Sequence, residues 1–130
     1  MQLDDQSAFA WHQKGVALNK LGRYEEALAS LDRAVELRDQ DKWVWCERAW
    51  CLNRLGRHAE ALISINRALA LDTGHAWVWR EKAWTLYNLH SITEAIESLN
   101  KCLELDTQDK WAQDSLVKWR AELTRDVGHG

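Results

Sequence analysis

Residues 42–75 read KWVWCERAWCLNRLGRHAEALISINRALALDTGH, and the same pattern stands before and after them. Trp45 has counterparts at Trp11 and Trp79, a constant step of 34 residues (45 − 11 = 79 − 45). Leu21, Leu55 and Leu89 keep that step, as do Ala27, Ala61 and Ala95, and Leu31, Ile65 and Leu99. A fixed period of this length marks a stack of supersecondary units, each of which buries its apolar face only against a neighbour.

Each unit reads as two helices. The first runs from Ala8, Lys42 or Ala76 to Leu21-Gly22, Leu55-Gly56 or Leu89-His90. Gly supplies the left-handed turn that ends a helix, so the third turn, with His90, is expected to differ in geometry. The second helix, Tyr24 to Leu37 in the first unit, places Ala27, Leu31, Ala34 and Val35 on one apolar stripe, with Glu25, Asp32, Arg33 and Glu36 on a solvated face. The absence of Pro and only 6 Gly in 130 residues agree with an all-α chain.

The spacing resembles the tetratricopeptide repeat, which has a Trp, a small residue, a Leu-Gly turn, a small Ala and a large apolar residue at fixed places. Trp11, Gly15, Ala27, Leu31 and Ala34 match in the first unit; Trp45, Ala49, Ala61, Ile65 and Ala68 match in the second. The resemblance implies an α-solenoid of three repeats in a right-handed superhelix. The expected organisation is a lead-in at 1–7, repeats at 8–41, 42–75 and 76–109, a capping seventh helix at 110–126 and a tail at 127–130. The chain departs from the family pattern where Asp39, Thr73 and Thr107 replace its Pro, and where Lys14, Arg48 and Lys82 replace a Leu. Asp and Thr are expected to cap the helices that follow. The three cations are expected to lay their stems on the core with their charges outward.

After the third repeat, Ala112, Leu116, Trp119 and Leu123 form a stripe able to pack back, while Gln113 and Arg120 make the outer face polar. That is the composition of a solenoid cap. No comparable cap is evident at the other end.

Nine tryptophans carry the functional information. At 100° per residue, Trp11, Leu18 and Leu21, with their counterparts Trp45, Leu52 and Leu55 and Trp79, Leu86 and Leu89, form the buried face of the first helices. A second aromatic stripe lies roughly opposite: Trp43 with Trp50, Trp77 with Trp84, and Phe9, Val16 and Trp111 at matching places. In the family the first helices line a concave groove. The resemblance therefore makes Phe9, Trp43, Trp50, Trp77, Trp84 and Trp111 an aromatic ladder, with Asn19, Lys20, Asn53, Arg54, Tyr87 and Asn88 along its far edge. Packing between neighbouring first helices is the competing explanation for the stripe. Relatives that bind acidic C-terminal tails use a Lys, Arg and Asn clamp whose places here hold His12, Val16, Glu47, Trp77 and Glu81. A carboxylate tail is disfavoured. A peptide or short helix with bulky apolar anchors fits better, with Arg54 and Arg80 against Glu47 and Glu81 setting its register.

No nucleophile, base and orienter come together in the spacing, and no phosphate-cradling Gly loop is present, so the chain reads as no enzyme, with no cofactor and no small-molecule substrate. Cys46, Cys51 and Cys102 match no zinc spacing and suit a reducing, cytoplasmic setting; His58, His75 and His90 read as structural rather than as metal ligands. The net charge of −3 argues against nucleic acid, and no apolar run argues for a membrane. The expected function is a protein-protein interaction module. Homo-oligomeric assembly and a regulatory or scaffold fragment of a larger protein are the alternatives.

Overall fold

A computed structural model describes residues 3–129, with side chains from 6 to 125. Within these residues the chain is all-α: α1 (Leu3–Lys20), α2 (Tyr24–Leu37), α3 (Lys42–Arg54), α4 (His58–Leu71), α5 (Ala76–Asn88), α6 (Ile92–Leu105) and α7 (Lys110–His129). The helices pair as α1 with α2, α3 with α4 and α5 with α6, the repeat packing of an α-solenoid. Helix α1 begins more than a turn before Ala8, because no Gly or Pro between Leu3 and Ala8 interrupts it. Helix α7 likewise runs past 126.

Two compact units form, Met1–Thr73 and Gly74–Gly130. In the first, Leu18, Ala27, Leu28, Leu31, Ala34, Val44, Cys51, Leu52 and Ala61 make one buried cluster, with Trp11, Tyr24, Val35 and Leu55 packed on it. At Gly15 α1 lies tight against α2, since a Cβ there would stand 2.6 Å from Leu31 Cγ. Leu21 departs from its expected place on the buried face: it is 69% exposed, whereas Leu55 leans on the cluster. Leu55 has the α1/α2 pair to pack against, and Leu21 has no preceding pair among the described residues. In the second unit Ala95, Leu99, Cys102, Ala112 and Trp119 are buried, and α7 packs on α6 through its expected stripe. Gln113 and Arg120 are exposed on the outer side of α7.

The three interhelix turns are built alike. Gly22 and Gly56 both have φ +76° and His90 has φ +65°. In each, the amide three residues beyond the helix returns to a carbonyl of the last turn: Arg23 to Leu18 at 2.9 Å, Arg57 to Leu52 at 2.8 Å, Ser91 to Leu86 at 2.9 Å. The third turn therefore keeps the common geometry, contrary to expectation, and His90 absorbs the Cβ strain of a left-handed residue. The helix caps also differ from the sequence reading. Asp41 accepts from Trp43 N at 2.9 Å and Asp109 from Ala112 N at 3.0 Å, each two residues after Asp39 or Thr107, while His75 starts α5 without a side-chain cap bond. The side-chain cap must sit next to the first free amides, which is where Asp41 and Asp109 stand.

Candidate functional site

The tryptophans divide into two sets by environment. Trp45 is buried, donates from Nε1 to the Asp39 carbonyl at 2.8 Å, and has two guanidinium groups over its ring, Arg67 at 5.1 Å and Arg48 at 6.0 Å from the ring centre. Trp11 is flanked in the same way by Lys14 at 5.2 Å and Arg33 at 5.8 Å, and Trp79 carries Lys82 at 5.4 Å. The cations at positions 14, 48 and 82 thus stand over indole faces instead of pointing simply outward. Arg48 goes further, bonding Asp32 Oδ1 at 2.7 Å and Ser64 Oγ at 2.6 Å with little of its side chain exposed. An indole face attracts a cation through its quadrupole, an attraction that strengthens when water is kept away.

The second set stands in solvent. Trp43, Trp77 and Trp84 are 42–44% exposed, and Phe9 is 64% exposed. Trp50 is half-buried, with its ring edge-on to Tyr24 at 5.7 Å and Arg54 above it at 4.8 Å. Lys42 lies 5.0 Å from the Trp43 ring centre while it pairs with Asp72. Beside Phe9 a small cleft of about 30 Å³ opens, floored by Ala8, Ala34 and Val44 and rimmed by His12, Arg38 and Asp41. It has room for one water-sized group.

The other sequence-selected residues are drawn into the protein's own contacts to different degrees. Tyr87 stacks on Trp119 at 4.5 Å and 6°, and its hydroxyl donates to Glu122 Oε2 at 2.9 Å, which raises its pKa above the ordinary phenolic value. Trp111, 37% exposed, meets Trp119 edge-on at 5.9 Å beneath Arg80. Tyr87 and Trp111 therefore help to dock α7. Arg80 also reaches Asp109 Oδ2 at 3.4 Å. Asn88 donates back to the Trp84 carbonyl at 2.8 Å, and Asn53 Oδ1 is 2.8 Å from His58 Nδ1. Asn19, expected at the groove edge, is 3% exposed: its Nδ2 donates to Glu47 Oε2 at 3.0 Å and tethers α1 to α3. Nothing in the linear spacing of Asn19 and Glu47 announces that bond.

The cysteines lie in the core without disulfides. Burial, then the nearby carboxylates, pushes Cys51 up to about 11, and its thiol donates to the Tyr24 carbonyl at 3.0 Å. Cys102 is likewise pushed up to about 11, by burial and by Asp109. Neither is a nucleophile near neutral pH. No His, Cys, Asp and Glu grouping among the described residues fits a metal ion, and no helix there is long and apolar enough to cross a membrane.

Paired helices recurring at a fixed period, with solvent-facing aromatics on their first members, define a helical-repeat interaction module, a non-catalytic fold. Tetratricopeptide-repeat models match residues 6–74 and 78–109, and the chain belongs to the tetratricopeptide repeat family. No curated protein matches it in sequence. Among solved structures it is similar to the first such domain of Spaghetti (RPAP3) bound to the HSP90 peptide SRMEEVD, at 24% identity and TM-score 0.88 over 92% of this chain and 95% of that one. The first domain of human RPAP3 is 22% identical with TM-score 0.86, covering 95% and 98% of the two chains. The Arabidopsis OM64 domain is 19% identical with TM-score 0.87, covering 91% and 98%. At these identities the likeness establishes the fold.

Proposed function

We propose that the exposed aromatic face of the first helices binds a peptide or short helix through bulky apolar side chains. One observation carries the reading: Trp43, Trp77 and Trp84 each leave more than two-fifths of their surface in water. Large aromatics in that state mark surfaces that a partner covers, and Trp is the residue most enriched at binding hot spots. Phe9, Trp43 and Trp50 serve in the first unit, Trp77 and Trp84 in the second, with Arg54 and Arg80 at the rim.

The peptides named in the relatives' structures, SRMEEVD with Spaghetti and SGPTIEEVD with the second human RPAP3 domain, end in acidic tails. His12, Val16, Glu47, Trp77 and Glu81 occupy the places where the family clamp holds such tails, so an acidic tail is not the ligand we propose. The test is a Trp43→Ala, Trp84→Ala double variant. Its far-ultraviolet circular dichroism and melting should match the parent protein while capture of apolar-anchored peptides is abolished. Retained binding would reject the reading.

A second reading, self-association, is favoured by α1 and the turn that follows it, where Phe9 and Leu21 are both well exposed. Sedimentation over a wide concentration range separates the two. A monomer supports peptide binding, and a stable dimer that Leu21→Ser disperses supports assembly.

A further inference from the structure

Resting on the peptide-binding reading, we infer that the first unit carries a subsite for a basic side chain, so that the partner is a cationic apolar segment. On α3, Trp43, Glu47 and Trp50 fall at i, i+4 and i+7, one face of the helix. Glu47 is half-buried, and Asn19 holds its Oε2 at 3.0 Å. A neutral amide orients this carboxylate without cancelling its charge. No cation among the described residues pairs with Glu47, because the neighbouring cations are engaged elsewhere: Arg48 on Asp32 and Ser64, Lys42 on Asp72, Arg54 over Trp50. The Oδ1 of the same Asn19 is buried and has no donor.

The site is thus rich in acceptors and poor in donors, and the exposed Trp43 indole lies one turn away. A Lys or Arg side chain satisfies both parts. Its stem rests along the indole and its charge meets the Glu47 carboxylate, a charge-assisted bond strengthened by partial burial. Helix α5 repeats the order with Trp77, Glu81 and Trp84. An acidic or uncharged partner leaves Glu47 desolvated and unpaired, which sets the direction of selectivity.

The experiment is selection from a random peptide library displayed on phage, run in parallel on the parent protein, Glu47→Lys, and the Trp43→Ala, Trp84→Ala variant. The expected result is a parent pool rich in Leu, Phe or Trp together with Arg or Lys, whose basic residues disappear from the Glu47→Lys pool. For one selected peptide, replacing its Arg by Gln should weaken binding to the parent about tenfold and leave binding to Glu47→Gln unchanged, since the pair is already broken there. Glu47→Gln keeps an acceptor for Asn19, and circular dichroism verifies its fold. An apolar pool without basic bias, lost only with the tryptophans, overturns the cationic subsite and leaves the binding role of the exposed tryptophans standing. A pool indifferent to Trp43 and Trp84 overturns both.

Discussion

The same short helix, α3, presents one tryptophan to the protein and another to the solvent. Trp45 is enclosed, hydrogen-bonded and has the guanidinium groups of Arg48 and Arg67 over its ring. Trp43, two residues earlier, is 44% exposed. A displacement of two residues turns a side chain about 200° around a helix, so the two indoles face opposite ways. Identical residue types therefore do different work, and exposure rather than identity separates the scaffold from the surface it displays.

The largest expected effect breaks the enclosed side. Trp45→Ala leaves a cavity, an orphaned Asp39 carbonyl and two guanidiniums without their ring, and should cost about 3–5 kcal/mol in urea unfolding. Trp43→Ala should cost about 1 kcal/mol or less. Equal losses would erase the distinction between the two faces.

Next are two buried thiols, one in each unit. Cys51 and Cys102 are held near 11 in the folded chain, against an ordinary thiol value of 9.0. A folded pKa raised above the unfolded one contributes stability that is complete below about 9 and is lost as the pH rises through about 11. Unfolding free energy should accordingly fall between pH 9 and 11, and Cys51→Ala with Cys102→Ala should flatten that slope. Chemical denaturation at stepped pH measures it.

Gly15→Ala drives a Cβ to within 2.6 Å of Leu31 Cγ, and Leu31 has no exposed surface into which to retreat. The clash should outweigh the gain in helix propensity and destabilise by about 1–2 kcal/mol, read from the urea midpoint. The smallest effect runs the other way. His90→Gly relieves a side chain at φ +65° and should raise stability by up to about 1 kcal/mol, visible as a small increase in melting temperature.

Much of this architecture was legible in the sequence because repetition amplifies weak signals. The Trp, Leu and Ala positions recur at one step, and the α2 boundaries emerge from the stripe of Ala27, Leu31 and Ala34 ending before Arg38. What escaped depends on context that a repeat averages away. Leu21 looks like Leu55 but is not covered by a preceding pair among the described residues. His90 replaces Gly in an unchanged turn because two amide-to-carbonyl bonds, Ser91 to Leu86 and His90 to Tyr87, hold the backbone whatever the side chain. The second aromatic stripe could be seen on a helical wheel, whereas the Asn19 to Glu47 bond joins residues 28 apart and depends on how α1 meets α3. Similarly, Lys14 and Lys82 are legible as cations near Trp, but their place above the rings belongs to packing.

The most direct test of the claim that the solvent-facing tryptophans exist to bind is titration of a phage-selected peptide against the Trp43→Ala, Trp84→Ala protein, followed by anisotropy, with circular dichroism on the same sample. An unchanged helical signal and melting temperature with binding lost is the predicted result. Binding retained at parental affinity, or a protein that no longer folds, would contradict it.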